Sequence, residues 1–332
     1  MKIGLYHLLL AGLFIGGCRK EDGNRPLTAP SPFINFTTQN SPLPDNQVNA
    51  ISVAGTTVWI GTQNGLARLS NGRWQIFNAA NSPLPSPVVL SIAAEGGDCV
   101  WVGTDKGLVH YCQNKWTEYS TSNSRLQNNV IKEIALDRQR EVVWVGTEGG
   151  LLRLAGSHQQ WFDDTNSGLI DNLITALAIT SSGKLLVGTF DPFQFGGSYW
   201  QYDGNQWTRL RLNNFGYESS FVNTLFLRNE GAWLGIGGTS GGAVVALQNN
   251  QAVIHHNRET SPIISGVLAV AENEKGLWVA TGAGLYRLTN SEWKQFTANN
   301  SELPDNHLLC MAVGGGKLYI GSIQSGLIEF QP

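Results

Sequence analysis

The chain has 332 residues, 42% of them hydrophobic and 14% charged, with 11 Trp, 39 Gly and a formal net charge of −3. This composition excludes a disordered acidic chain and marks a globular, turn-rich one. With no run of Lys or Arg there is no electrostatic footprint for a phosphate backbone, so no nucleic-acid partner is expected.

In chain order, residues 1–17 open with Lys2 and continue as "GLYHLLLAGLFIGG". That apolar run is shorter than the roughly 20 residues a spanning helix needs, so it reads as a signal peptide and not an anchor helix. It ends in "IGGC", small residues immediately before Cys18, which resembles the lipobox of bacterial lipoproteins. The resemblance implies that Cys18 carries lipid, begins the mature chain and ties it to a membrane. Residues 18–31, charged and then proline-rich, are expected to form a solvated tether. "CRKED" is similar to the short acidic export signals of Gram-negative lipoproteins, although Arg19 and Lys20 depart from that pattern. The implied location is the outer membrane, at the cell surface or on the periplasmic face.

From residue 32 to 332 one unit recurs seven times. Its landmark, Trp-x-Gly-Thr, falls at Trp59, Trp101, Trp144, Leu186, Trp233, Trp278 and Tyr319, so that successive units lie 41 to 47 residues apart. This period matches four-stranded propeller blades. Within a unit "VNAISV" alternates, "VWIG" is a short apolar run, "GLARL" alternates again and "RWQIF" ends aromatic, with Gly, Asn and Ser between them. No helical spacing persists for ten residues. The chain is therefore predicted to be all-β, a seven-bladed β-propeller, because each blade can bury its faces only against its neighbours. The tryptophans are expected to be inter-blade core.

The stretches "VVWVGTEGGLLRL" and "GLWVATGAGLYRL", with "WIGT" and "GLARL" in the first unit, resemble the two-component regulator propeller repeat. The likeness is strong in units one to three, six and seven and weak in four and five. It implies an extracytoplasmic binding domain, which in that family often responds to oligosaccharides. The chain shows no kinase and no second apolar span, so direct signalling is not implied.

Few residues suggest chemistry. No phosphate loop, Gly-x-Ser-x-Gly, His-Glu-x-x-His or Cys-x-x-Cys occurs. His255 and His256 are adjacent and point to opposite faces of a strand, so neither a metal nor another cofactor is expected. Asp45, Asp163, Asp164 and Asp305 fall where Asp shapes turns. No catalytic residue is assigned. The alternative is a propeller lyase or glycoside hydrolase whose carboxylate pair assembles at the central channel from distant positions.

Most turns between second and third strands are short, but unit four has "TFDPFQFGGSY" and the passage into unit five is "NNFGYES". These departures share one face of two neighbouring blades. They make Phe190, Asp191, Phe193, Phe195, Phe215, Tyr217 and Glu218 the expected ligand-binding set for a glycan or a protein partner. The same rings could instead pack down as a plug.

Two further expectations concern closure and cysteines. "SPFINFTTQNSPLP" resembles the closing strand of other units, while the chain ends after a third strand, so Phe33–Phe36 should pair beside Leu327–Phe330. A two-residue turn at Asp105 and Lys106 places Cys99 opposite Cys112 for a disulfide, whereas a bulge at Gly107 would leave both thiols free. Cys310, alone in an apolar first strand, reads as buried and inert.

Overall fold

Alternating apolar and polar residues, interrupted every few positions by Gly, Asn or Asp, allow only short antiparallel strands joined by tight turns. The structure, a computed structural model, describes residues 31–193, 196–210, 220–228, 231–238, 241–248, 251–257 and 259–332. Over these residues the chain forms seven four-stranded antiparallel sheets and no helix, a seven-bladed β-propeller. Blade one comprises Val48–Ala54, Thr57–Thr62, Gly65–Ser70 and Arg73–Phe77, from the inner strand to the outer. Blades two to six begin at Val89, Ile131, Leu173, Ser220 and Val267.

Blade seven supplies three strands, Leu308–Gly314, Lys317–Ser322 and Leu327–Phe330, and Phe33–Phe36 lies beside the last, with Phe33 opposite Phe330 and Phe36 opposite Leu327. Phe33 stacks on Phe330 with ring centroids 4.2 Å apart and meets the edge of Phe296 at 6.4 Å. The first strand thus covers what would be an open edge.

Blade faces are apolar on both sides, so the core lies between blades. Every residue of Thr57–Thr62 is buried, and one cluster joins Trp59 and Phe77 of blade one to Val89, Val100 and Tyr111 of blade two. Replacing a ring as buried as Trp59 by Ala costs about 3–5 kcal/mol. The motif glycine is needed because the next blade approaches closely: a Cβ at Gly146 would stand 2.5 Å from Ile174 Cγ2. The motif threonine is turn chemistry. The hydroxyls of Thr62, Thr104 and Thr147 each donate to the carbonyl of the glycine three residues on, at 2.8 Å. Those glycines have φ of 129°, 143° and 140°, which a side chain would oppose.

Around the axis each first strand carries a bulge, and polar side chains beside it reach the carbonyl of the next blade. Asn49 donates to Val89 at 3.0 Å, Thr175 to Val222 at 2.6 Å, and Asn223 to Val267 at 2.9 Å. Cys310 is half-buried and its thiol faces the Val48 carbonyl at 3.6 Å, across the seam that closes the ring. Burial pushes that thiol up to about 12, so it stays protonated.

Cys99 and Cys112 occupy directly opposed positions of the blade-two hairpin, with Cα atoms 4.1 Å apart, and their sulfurs are joined. Gly107 pairs with Thr104 without a register shift, which sets the two cysteines opposite each other.

Candidate functional site

Blade four differs from its neighbours at the face formed by second-to-third-strand turns and inter-blade passages. Its second and third strands, Leu185–Asp191 and Gly196–Tyr202, stay paired up to Asp191 opposite Gly196. The long second-to-third-strand segment expected from the sequence is therefore in large part a continuation of the hairpin. The alternation of Phe190 with Asp191 and the two glycines facing them permit the extra pairs, and among the described residues Pro192 and Phe193 form the turn.

Phe193 stands 91% exposed at that tip, and its N–H donates to Asp191 Oδ1 at 2.8 Å. Phe190 is half-buried against Phe221 of blade five, centroids 4.5 Å apart. Of the expected set, the structure thus brings Phe190, Asp191 and Phe193 to one crest. Phe195, Phe215, Tyr217 and Glu218 lie outside the described residues, as does Cys18.

Sequence reasoning missed two members of this crest. Asp171, in the passage from blade three, accepts hydrogen bonds from Thr189 Oγ1 at 3.0 Å and Ser198 Oγ at 3.1 Å, which pins the passage to the long hairpin. Thr189 is the motif threonine, and Ser198, whose carbonyl its hydroxyl also faces at 3.3 Å, stands where the other turns have glycine. Beside Asp171, Ile170 is 51% exposed. The equivalent residues are Pro44, Pro85 and Pro304, and that change was the available signal. Six large apolar side chains are exposed among the described residues; Ile170, Phe193 and Ile264 of the passage into blade six all share this face. Such grouping marks interaction surfaces more than scattered exposure does.

The channel gives a second locus. On the first strand of blade three, Ile131–Asp137, Glu133 occupies a position equivalent to Ser91 and Cys310. Desolvation raises its carboxyl to about 8, only partly offset by the Ile134 N–H and the Lys132 charge. Its charge also contributes to the rise at Cys310, so blades three and seven bring the two groups within electrostatic reach across the ring. The other inner-strand acids are engaged elsewhere, Asp137 with Arg140 at 3.0 Å and Glu272 with Arg228 at 3.0 Å. Among the described residues the inner strands thus place one carboxyl, not a pair, beside the axis.

The turn aspartates act as local caps. Asp45 and Asp305 each accept the N–H two residues on, at 2.8 and 2.9 Å. Asp164 accepts from Asn172 Nδ2 at 2.7 Å, and the Thr165 hydroxyl holds the Asp163 carboxyl below its usual range. Among the described residues no three His, Cys, Asp or Glu side chains gather as a metal site, and no helix is long and apolar enough to cross a membrane. His256 lies between Trp233 and Trp293, and the side chain of His255 is outside the described set.

The architecture is shared with known structures. The extracellular domain of a protein described as a hybrid two component system, BT3049 from B. thetaiotaomicron, aligns with a TM-score of 0.72 at 22% identity, covering 92% of this chain and 41% of that one. PorZ, a surface component of the type-IX secretion system of Porphyromonas gingivalis, aligns at 0.68 and 20% identity over 86% of this chain and 46% of its own. Virginiamycin B lyase from Staphylococcus aureus aligns at 0.67 and 11% identity over 90% and 98%. At these identities the likeness is one of fold. The chain spans about two fifths of the length of the B. thetaiotaomicron domains it matches. No protein-family model matches it, and no curated protein does.

Proposed function

We propose that this propeller is a non-catalytic binding module held outside the cytoplasm by lipid on Cys18, with residues 1–17 as signal peptide, 18–31 as tether and 32–332 as the binding body. The observation that carries the reading is the crest of blade four. There an almost fully exposed phenylalanine stands on a hydrogen-bonded, well-paired hairpin and an exposed isoleucine on the passage pinned to it, with Asp191 and Asp171 beside them. Apolar groups held rigidly in water, with acceptors beside them, suit a sugar face or the side chains of a protein partner, because little ordering entropy is spent on binding. The fold shared with extracellular sensor domains and a secretion-system surface component supports the extracytoplasmic setting.

A glycan and peptide array probed with the purified protein tests this. Binding that Phe193→Ala weakens by about fivefold or more, at unchanged melting temperature, is the expected result, since truncating one anchor removes on the order of 1 kcal/mol or more. Ligands held equally by wild type and a Phe193→Ala, Ile170→Asp double variant would remove the crest from the binding reading.

A further inference from the structure

The repeat allows the blades to be compared position by position, and one position stands out. Among the described residues the motif tryptophans are Trp59, Trp101, Trp144, Trp233 and Trp278. Four of them carry an arginine over the ring: Arg68 over Trp59 at 5.5 Å, Arg153 over Trp144 at 5.9 Å, Arg228 over Trp233 at 4.9 Å and Arg287 over Trp278 at 5.4 Å. In two blades that guanidinium is also paired with a carboxylate, Asp98 or Glu272. Trp101 has the carboxylate, for its Nε1 donates to Glu95 at 2.6 Å. It lacks the arginine. His110 fills the cross-strand position, lying flat on the indole at 4.2 Å and meeting the other oxygen of Glu95 at 3.1 Å.

Beside this ring, between blades two and three, opens a cleft of about 550 Å³, within the range of small-ligand sites. Part of its space is left by a side chain shorter than its counterpart in three other blades. Tyr111, Tyr202 and Phe330 each pack on the closing aromatic of the preceding blade, at 5.0 Å from Phe77, 5.6 Å from Phe162 and 5.8 Å from Phe296. At the equivalent position blade three has Leu154, as blades one, five and six have Leu69, Leu247 and Leu288, and here the shorter side chain lines the cleft. The floor is apolar, formed by Leu136, Val143 and Leu154, and the rim carries Tyr119, Glu95 and Glu141. Asp137 also reaches the cleft but is paired with Arg140, and Arg138 donates to the Ala94 carbonyl across the seam. Glu141 is exposed and makes no ion pair among the described residues, on a turn where its φ is 52°. That conformation suits Asn or Gly better than Glu.

We propose that the cleft between blades two and three binds an organic cation on an alkyl stem, a guanidinium or ammonium group belonging to a free amine or to an arginine or lysine side chain. The stem lies on the aliphatic floor, and the charge sits between Glu95, Glu141 and the face of Tyr119. The ligand thereby brings a cation to Glu95 in a blade where His110, not an arginine, covers the tryptophan. The site is independent of the crest. It is built from first-to-second-strand turns, at the opposite end of the ring from the second-to-third-strand turns.

Agmatine is the probe, titrated into the purified protein by calorimetry and saturation-transfer NMR. Saturable binding is expected. Glu141→Asn, which removes the charge while suiting the turn, should weaken it about fivefold or more, and Leu154→Tyr, which fills the cleft as in blades two and four, should abolish it. Phe193→Ala should leave it unchanged, so failure here and failure at the crest are read separately. Tighter binding of acetyl-Ala-Arg-Ala-amide than of agmatine identifies a side chain of a protein partner as the source; equal binding identifies a free amine. Absence of saturable agmatine binding, binding that survives both substitutions, or displacement of agmatine by cellobiose overturns the proposal.

Discussion

Replacing Glu133 by Gln tests the reading of the channel most quantitatively. Burial carries this carboxyl from an ordinary 4.5 to about 8. At 1.36 kcal/mol per pH unit, the gap corresponds to roughly 5 kcal/mol between the neutral and ionised native forms. Glu133 is only half-buried, so channel water screens the charge, and about 2–3 kcal/mol is the expected effect. The sign follows from proton counting. Between pH 4.5 and 8 the unfolded chain has released a proton that the native protein retains, so stability falls as pH rises through that window, by at most about 1.4 kcal/mol per unit. Below the window both states are protonated, and above it both are ionised, so the slope vanishes at either end. Glu133→Gln keeps the size and removes the titration. Urea unfolding of wild type and variant should agree near pH 4.5 and diverge until the variant is about 2–3 kcal/mol more stable at pH 8.5. Parallel stability profiles across that range would refute the placement of Glu133 in a desolvated channel.

Phe33→Ala should lower stability by about 3 kcal/mol or more in the same assay, because it removes a buried ring that stacks on Phe330 in the strand covering blade seven. Intact-mass analysis of the protein should show a gain of about two protons on reduction, from Cys99 and Cys112, with a stability loss of about 3 kcal/mol for opening so short a loop. Cys18→Ala should move the protein from the membrane fraction to the soluble one, and unchanged fractionation would remove the lipid anchor; stable attachment takes more than one acyl chain.

The sequence by itself determined the number of blades, the placement of strands and the chemistry of the repeated turns. These rest on local rules: period-two alternation sets strand faces, Thr and Gly three residues apart make the turn at Thr62 and Gly65, and the terminal half-units match only if they share a blade. The opposition of Cys99 and Cys112 was legible for the same reason, since hairpin register follows from turn length. The crest was legible only in outline. Phe193 announces itself as an aromatic among turn residues, but whether "TFDPFQFGGSY" continues as strand depends on pairing energy that no local pattern reports. Only the tertiary structure set Ile170 and Asp171 against that hairpin, because their neighbours come from a segment about twenty residues away in sequence. It likewise decided that Glu133 and Cys310, from blades three and seven, share the channel, and that a cleft opens beside Leu154 where blades two, four and seven place an aromatic ring. Sequence records which side chain is present. Desolvation, cavity volume and charge proximity depend on what the rest of the ring places around it, and in a closed seven-bladed ring most of that arrives from a neighbouring or opposite blade.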